Sequence, residues 1–423
     1  MSDTAQQILS LPDVGAVDRL LRNRVVSQLR ALRTGAVTLR DPWESITLGE
    51  NDGRLAPPTL HVNDARFYRA VALGGSVGAA EAYMDGVWTC DDLVGLVRLL
   101  VRNRDLLDDV ERGPARLAGW VLRFVHALRR NTASGAQRNI AAHYDLGNTF
   151  FRLFLSDDLM YSSALFERDD DTLETASSRK LQAICRKLDL HEGDRVLEIG
   201  TGWGGFALHA AREHGCHVTT TTLSREQYEL ARQLVAEAGL QDRVTVLMRD
   251  FRELDGTYDK LASIEMVEAI GPENLHRYFA CIGERLADHG LALVQAITIE
   301  DHRYEHAVRS VDFIKRYVFP GSFIPSIAAM MSAKTAASDL ALLHLDDMGL
   351  SYARTLEAWR ERFLDRLSEV RALGFDERFI RMWEFYLAYC EGGFRERSIG
   401  VAQMLFARPG YRPHAQAAAI PEA

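Results

Sequence analysis

The stretch Arg195-Val-Leu-Glu-Ile-Gly-Thr-Gly-Trp-Gly-Gly205 decides the fold. Val196 to Ile199 reads as a buried strand. It runs into a turn carrying Gly200, Gly202, Gly204 and Gly205, and a helical pattern follows from Phe206 to Arg212. Glycines after a strand let the backbone turn tightly and let a ligand lie against bare main chain. Turns of this kind sit at the carboxyl edge of parallel nucleotide-binding sheets. The spacing is not G-x-G-x-x-G, and no Lys-Ser/Thr follows as in a phosphate-cradling loop. Glu198 stands just ahead of the first glycine. Its carboxylate suits a cationic ligand better than a pyrophosphate, and S-adenosylmethionine (SAM) carries both an ammonium and a sulfonium. An ordinary strand-to-helix turn is the alternative reading of these residues alone.

The flanking sequence repeats the alternation. A helix over Ala176 to Leu188 precedes the stretch. Strands at Cys216 to Thr220, Arg243 to Met248, Lys260 to Ile264 and Leu291 to Ile297 alternate with helices at Arg225 to Ala238 and Glu273 to Leu286. Ser224 is the N-cap candidate of the first of these helices. This pattern predicts a parallel, doubly wound sheet. A segment from Asp301 to Lys334, with an aromatic run from Asp312 to Pro325, interrupts it. The chain resumes with Leu340 to Met348, helices over Thr355 to Ala372 and Asp376 to Glu391, and a last strand at Val401 to Phe406.

The chain has 423 residues, enough for two domains. Its 47% hydrophobic content is that of a globular protein, and no apolar run is long enough to span a bilayer. Met1 to Leu11 lacks a basic n-region and a continuous apolar core, so no signal peptide is expected. Cys90, Cys185, Cys216, Cys281 and Cys390 form no C-x-x-C pair, which argues against a metal site or a disulfide framework and suits a reducing cytoplasm. A net charge of -9 argues against a nucleic-acid partner. Residues 1–130 carry 17 Lys and Arg against 16 Asp and Glu, so the acidity belongs to the remainder.

Residues 1–130 read as a separate, smaller mixed α/β domain. Its predicted helices are Val14 to Leu32, Arg66 to Ala72, Val77 to Met84 and Asp92 to Arg102, with strands at Val37 to Leu39 and Leu60 to Val62. Within Arg116 to Arg130, Leu117, Trp120, Val121, Phe124, Val125 and Leu128 share one helical face, framed by Arg116, Arg123, Arg129 and Arg130. A basic amphipathic helix of this kind lies in a membrane interface or packs its apolar face inward. Residues 131–139 read as a linker, 140–408 as the catalytic domain and 409–423 as a flexible tail.

Six motifs stand in order beyond the linker: His143-Tyr-Asp-Leu-Gly-Asn148, Tyr161-Ser-Ser163, Val196 to Gly204, Thr222-Leu-Ser-Arg-Glu-Gln227, Glu265-Met-Val-Glu-Ala-Ile-Gly271 and Phe319-Pro-Gly-Ser-Phe-Ile-Pro-Ser326. With them the sequence resembles the cyclopropane-fatty-acyl-phospholipid and mycolic acid cyclopropane synthases, SAM-dependent enzymes that act on the double bond of a lipid acyl chain. Gly75 to Trp88 looks like the N-terminal domain of the phospholipid-acting branch. The resemblance implies a class I SAM-dependent methyltransferase (Rossmann-like) catalytic domain. It implies a SAM site made from Tyr161, Ser162, Glu198, Gly200, Gly202, Gly204, Thr222, Leu223, Gln227, Phe251 and Arg252.

It also implies a catalytic centre that holds a bicarbonate ion. Glu268 matches the family's Glu, Ile297 its backbone carbonyl, Tyr352 its Tyr, and Cys390 a second Cys near the C-terminus. Ser163 stands where many members have Cys, and Gln295 where they have His. Both substitutes still form hydrogen bonds, but neither titrates near neutral pH. Glu268 is expected to be ionised. The implied substrate is an unsaturated phospholipid, which places the protein peripherally on the inner face of the membrane. The oligomer is left open, a homodimer included. A related C-methyltransferase giving a methylene or methyl-branched chain is the second reading, and a non-catalytic SAM or lipid binder the third.

Overall fold

The computed structural model describes residues 16–51, 53–105 and 146–413. The Arg116 to Arg130 helix, the 131–139 linker, His143 to Asp145 and the last ten residues of the tail lie outside them. Two compact units make up the chain: Met1–Leu122 with Phe375–Gly392, and Arg123–Gly374 with Gly393–Ala423. The return of Phe375–Gly392 to the first unit has no counterpart in the sequence reading.

In the first unit, strands β1 (Gly35–Arg40), β2 (Ser45–Glu50), β3 (Thr59–Val62) and β4 (Trp88–Cys90) form a sheet of order β2-β1-β3-β4. The short β2 and β4 were not expected. The helix Arg66–Met84 joins the two helices read separately, with a kink at Gly75 between them. Asp41, directly after β1, holds two side chains of this unit. It accepts from Arg22 at 2.6 Å and from the Tyr68 hydroxyl.

In the second unit, β5 (Arg195–Ile199), β6 (His217–Thr222), β7 (Val244–Met248), β8 (Tyr258–Ile264), β9 (Leu286–Ile299), β10 (Ala341–Asp347) and β11 (Ile399–Ala407) form one sheet among the described residues. Its order is β10-β11-β9-β8-β5-β6-β7. Strands β5 to β9 pair in parallel, and β11 and β10 add antiparallel at one edge. The chain proceeds from β5 to one side through β6 and β7, then crosses to β8 and β9 on the other. The crevice between the carboxyl ends of β5 and β8 is therefore the topological switch point, where such sheets bind ligands.

Both faces of this sheet are buried, and side chains alternate between them. Leu197, Leu261, Ala292, Val294 and Phe406 pack on one face with Phe279 of the helix Leu275–Arg285 and Met330 of the helix Ile327–Ala337. Val196, Ala262, Leu291, Leu293 and Leu405 pack on the other with Leu181 and Ile184 of the helix Leu173–Lys187 and with Phe206. By the same alternation Glu198, Gln295 and Gln403 face the helix Leu173–Lys187.

Candidate active site

The glycine turn caps β5 as expected. Gly200, Gly202 and Gly204 all have positive φ, at 105°, 52° and 94°. A Cβ added to Gly202 would meet nothing within 4 Å, so a substituent there would enter the open cradle beside the main chain. Gly200 is closed on its other side. A Cβ there would come within 3.0 Å of Met266 Cγ, which ties the turn to the segment after β8.

Glu198 is buried, and its Oε2 accepts from the Thr220 hydroxyl at 2.6 Å. Burial pushes its carboxyl up to about 8, against that hydrogen bond and the charge of Lys180. Thr222 donates to Gln227 Oε1 at 2.9 Å, which leaves the amide nitrogen as the donor end of Gln227. Leu223 is half-buried between them in sequence. Phe251 is almost wholly buried, in edge contact with Tyr278 at 5.9 Å and with the Arg252 guanidinium 5.6 Å from its ring centroid. Arg252 in turn is held by Asp250. Phe251 is thus a member of the core, and Asp250 fixes the segment that carries it.

Tyr161, Ser162 and Ser163 diverge. The Tyr161 ring lies 5.3 Å from both Phe151 and Trp359. Ser162 Oγ accepts from Lys180 Nζ at 2.8 Å. The Ser163 hydroxyl donates to the Ala164 carbonyl, and it is the Ser163 backbone N–H that reaches the centre. The resemblance implied that residue's side chain.

The residue it reaches is Glu265, the first residue after β8. Glu265 Oε1 accepts from Ser163 N–H at 2.9 Å and from Gln295 Nε2 at 2.7 Å. Its Oε2 accepts from the Tyr352 hydroxyl at 2.8 Å. Its φ is 49°, a left-handed conformation that costs a side-chain-bearing residue about 1–3 kcal/mol unless its surroundings hold it. Three hydrogen bonds and a backbone bond from Glu265 N–H to the Gln295 carbonyl do so here.

Register explains the convergence. Gln295 on β9 pairs with Ile264 on β8 and with Gln403 on β11, so one polar row crosses the sheet and ends at Glu265. Gln403 Nε2 donates to Gln295 Oε1 at 2.9 Å, and Gln403 Oε1 accepts from Lys187 Nζ at 2.6 Å. Lys187 also pairs with Asp346.

Glu268 sits three residues on. Its Oε1 accepts from the Ile297 backbone N–H at 2.5 Å, and its Oε2 is buried without a hydrogen-bond partner. Ile297 therefore presents its N–H to Glu268, where the resemblance implied its carbonyl toward an ion. Burial, and secondly the charge of Glu265, push the Glu268 carboxyl up to about 8. This corrects the expectation that Glu268 is ionised. Burial also raises Glu265, but three donated hydrogen bonds and Lys180 oppose it there. Cys390 is half-buried on the helix Glu377–Arg395, within the stretch that belongs to the first unit.

A separate bicarbonate ion does not fit this donor set. The Ser163 N–H, the Gln295 amide and the Tyr352 hydroxyl all bind the Glu265 carboxylate, and the Ile297 N–H binds Glu268 Oε1. SAM does fit: the space beside Gly202 is open, at the carboxyl end of β5 where such sheets bind ligands.

Sequence reasoning passed over Glu265, Lys180 and Gln403. Each left a signal. Lys180 falls on the apolar i, i+3, i+4 stripe of its helix with Leu173, Ala176, Leu181 and Ile184, and it is fully buried. Burial lowers it to about 8, against the charges of Asp158, Glu265 and Glu198. Gln403 interrupts an apolar strand, and Glu265 stands at a strand's carboxyl end.

Comparison with known proteins agrees with this fold. The model of the family described as mycolic acid cyclopropane synthetase matches residues 131–404. The chain is 37% identical over 369 residues to the tuberculostearic acid methyltransferase of Mycobacterium tuberculosis, covering 86% of each chain. It is 35% identical over 355 residues to the cyclopropane-fatty-acyl-phospholipid synthase of Escherichia coli, covering 84% of this chain and 88% of that one. A mycolic acid cyclopropane synthase solved with SAH and CTAB superposes with a TM-score of 0.60 at 30% identity, over 64% of this chain and 98% of that one. The chain belongs to the mycolic acid cyclopropane synthetase family and is an enzyme of the class I SAM-dependent methyltransferase fold.

Proposed function

We propose that the protein transfers the methyl carbon of SAM to the double bond of an unsaturated phospholipid acyl chain and closes a cyclopropane. The observation that carries this reading is the placement of two carboxyl groups, Glu265 and Glu268, beside the glycine turn at the switch point.

An isolated alkene is a weak nucleophile and needs an electrophile as strong as the SAM methyl. Methylation at one alkene carbon leaves a cation on the other. This chain's residues then have three tasks. They exclude water, which would capture the cation as an alcohol. They hold negative charge beside it, prearranged in a poorly solvated site where such charge acts strongly. They place one acceptor by one C–H, because loss of a proton from the new methyl closes the ring. Glu265, fixed by three donors, meets the last two tasks. Tyr161, Trp359 and Tyr352 supply aromatic surface, with Tyr352 and Trp359 in edge contact at 6.1 Å.

A second reading, a methylene or methyl-branched product, is supported by the likeness to the tuberculostearic acid methyltransferase and by Ser163 and Gln295 in the centre. After a 1,2-hydride shift, loss of a proton from the transferred methyl gives the methylene chain, and a partner reductase would have to supply hydride and proton to turn it into a saturated methyl branch. On either reading the substrate lies in a membrane. The protein then works as a peripheral enzyme on the cytoplasmic face, with Arg116, Arg123, Arg129 and Arg130 as its basic contacts. Among the described residues no helix is long and apolar enough to cross a membrane.

Mass spectrometry of lipids from a host expressing the protein tests the proposal. Acyl chains that gain one CH₂ and resist mild hydrogenation contain a ring. Chains that gain CH₂ but still take up hydrogen support the second reading, and an unchanged lipid profile refutes both.

A further inference from the structure

We propose that the Glu265 carboxylate is the catalytic anion of this enzyme, built into the chain at the position of the family's bicarbonate, and that turnover needs no bicarbonate. The inference deepens the proposed methyl transfer and rests on it.

Three observations carry it. First, the three residues that the family resemblance assigns to a bicarbonate, 163, 295 and 352, all bind one carboxylate, that of Glu265, position 163 through its backbone N–H and the other two through their side chains. A carboxylate and a bicarbonate share the planar CO₂ unit, so the same donors serve either. Second, the donors are directed. The Lys187 ammonium can only donate, so Gln403 must turn its Oε1 toward it and its Nε2 toward Gln295. Gln295 then accepts with Oε1 and presents Nε2 to Glu265. The Ser163 N–H is also an obligatory donor. The chain of bonds thus ends in N–H groups aimed at Glu265, which suits an anion there and not a neutral acid. Third, Glu265 is held at a positive φ that a glycine would adopt freely. A strained backbone retained at a site supports a functional role for the side chain.

The chemistry balances without a further reagent. The alkene π pair forms the new C–C bond as the methyl–sulfur bond breaks and its pair stays on sulfur. The resulting cation loses one proton to a Glu265 oxygen, and the C–H electron pair closes the ring or forms the new double bond. Glu265 returns its proton to solvent when product leaves.

The test uses the full-length protein and two measurements. Calorimetric titration with bicarbonate should show no saturable binding to the wild type. It should show a new site in Glu265→Gly, a substitution that the backbone conformation favours. Labelled-methyl transfer from SAM into monounsaturated phospholipid vesicles, in buffer stripped of carbon dioxide, should be indifferent to added bicarbonate in the wild type. It should fall roughly 10²–10³-fold in Glu265→Gln, the usual loss for one prearranged electrostatic group. Glu265→Gly should be equally impaired and partly restored by bicarbonate or formate, which a merely structural role would not allow. Saturable bicarbonate binding by the wild type, tenfold stimulation of its turnover, or near-wild-type turnover in Glu265→Gln would overturn the proposal. A wild type that binds SAM but transfers no methyl to lipid would overturn the functional reading instead, and the titration would still decide the anion.

Discussion

Gln403 Nε2 donates to Gln295 Oε1 at 2.9 Å, and this single bond decides which end of Gln295 faces Glu265. Both amides are buried, so neither can exchange its partner for water. Replacing Gln403 by Leu leaves Gln295 Oε1 without a donor, which typically costs ~1–3 kcal/mol. Gln403→Leu should therefore melt several degrees below the wild type by calorimetry. It should also lose turnover while SAM affinity is kept, because the freed amide no longer has to present Nε2 to Glu265. An unchanged melting temperature and rate would mean that the polar row is ornamental.

The cradle beside Gly202 makes a second prediction. Gly202→Ala meets no protein atom within 4 Å, so its clash can only be with a ligand. Its positive φ adds strain of roughly 1 kcal/mol, a modest effect on folding. Gly202→Ala should fold but bind SAM more weakly, and Gly202→Val should not bind it measurably. Equal calorimetric affinity in wild type and Gly202→Val would remove the turn from the SAM site.

Glu268 gives a pH dependence with a defined sign. Its folded-state value, about 8, lies above the ordinary value of 4.5, chiefly through burial and secondly through the charge of Glu265. Below about 4.5 the carboxyl is protonated in both folded and unfolded chains and contributes no difference. Between there and about 8 the unfolded chain ionises it and the folded chain does not, so the wild type loses stability as pH rises. Gln cannot titrate. Glu268→Gln should gain in melting temperature relative to the wild type from pH 5 to pH 8, and the gap should level above that. A gap that is constant with pH would show that Glu268 ionises normally. Glu268→Ala, which also frees the Ile297 N–H, should cut turnover with little change in SAM affinity.

The basic residues Arg116, Arg123, Arg129 and Arg130 are predicted to hold the protein on anionic membranes. Each is worth ~1 kcal/mol near such a surface. Changing all four to Glu should abolish co-sedimentation with anionic vesicles, and salt should weaken the wild type's binding. Sedimentation that ignores both would refute this contact.

The strand and turn from Arg195 to Gly205 were legible because their signal is local. Apolar run, glycine cluster and following helix are each encoded by adjacent residues, and alternation around them dictates a parallel sheet. Local pattern also located Glu268, Gln295 and Tyr352, through motifs that the chain shares with its family. It did not disclose what they bind. Glu265 meets Gln295 only because β8 and β9 pair in one register, and Gln295 meets Gln403 only because β11 enters antiparallel beside β9. Lys187 reaches this row because its helix covers the same face of the sheet. The sequence alone determined the fold class, the cofactor turn and the family of the centre. Only the tertiary structure decided that the anion at the centre is a side chain, because that depends on contacts between residues about 30 to more than 100 positions apart, set by strand pairing and burial.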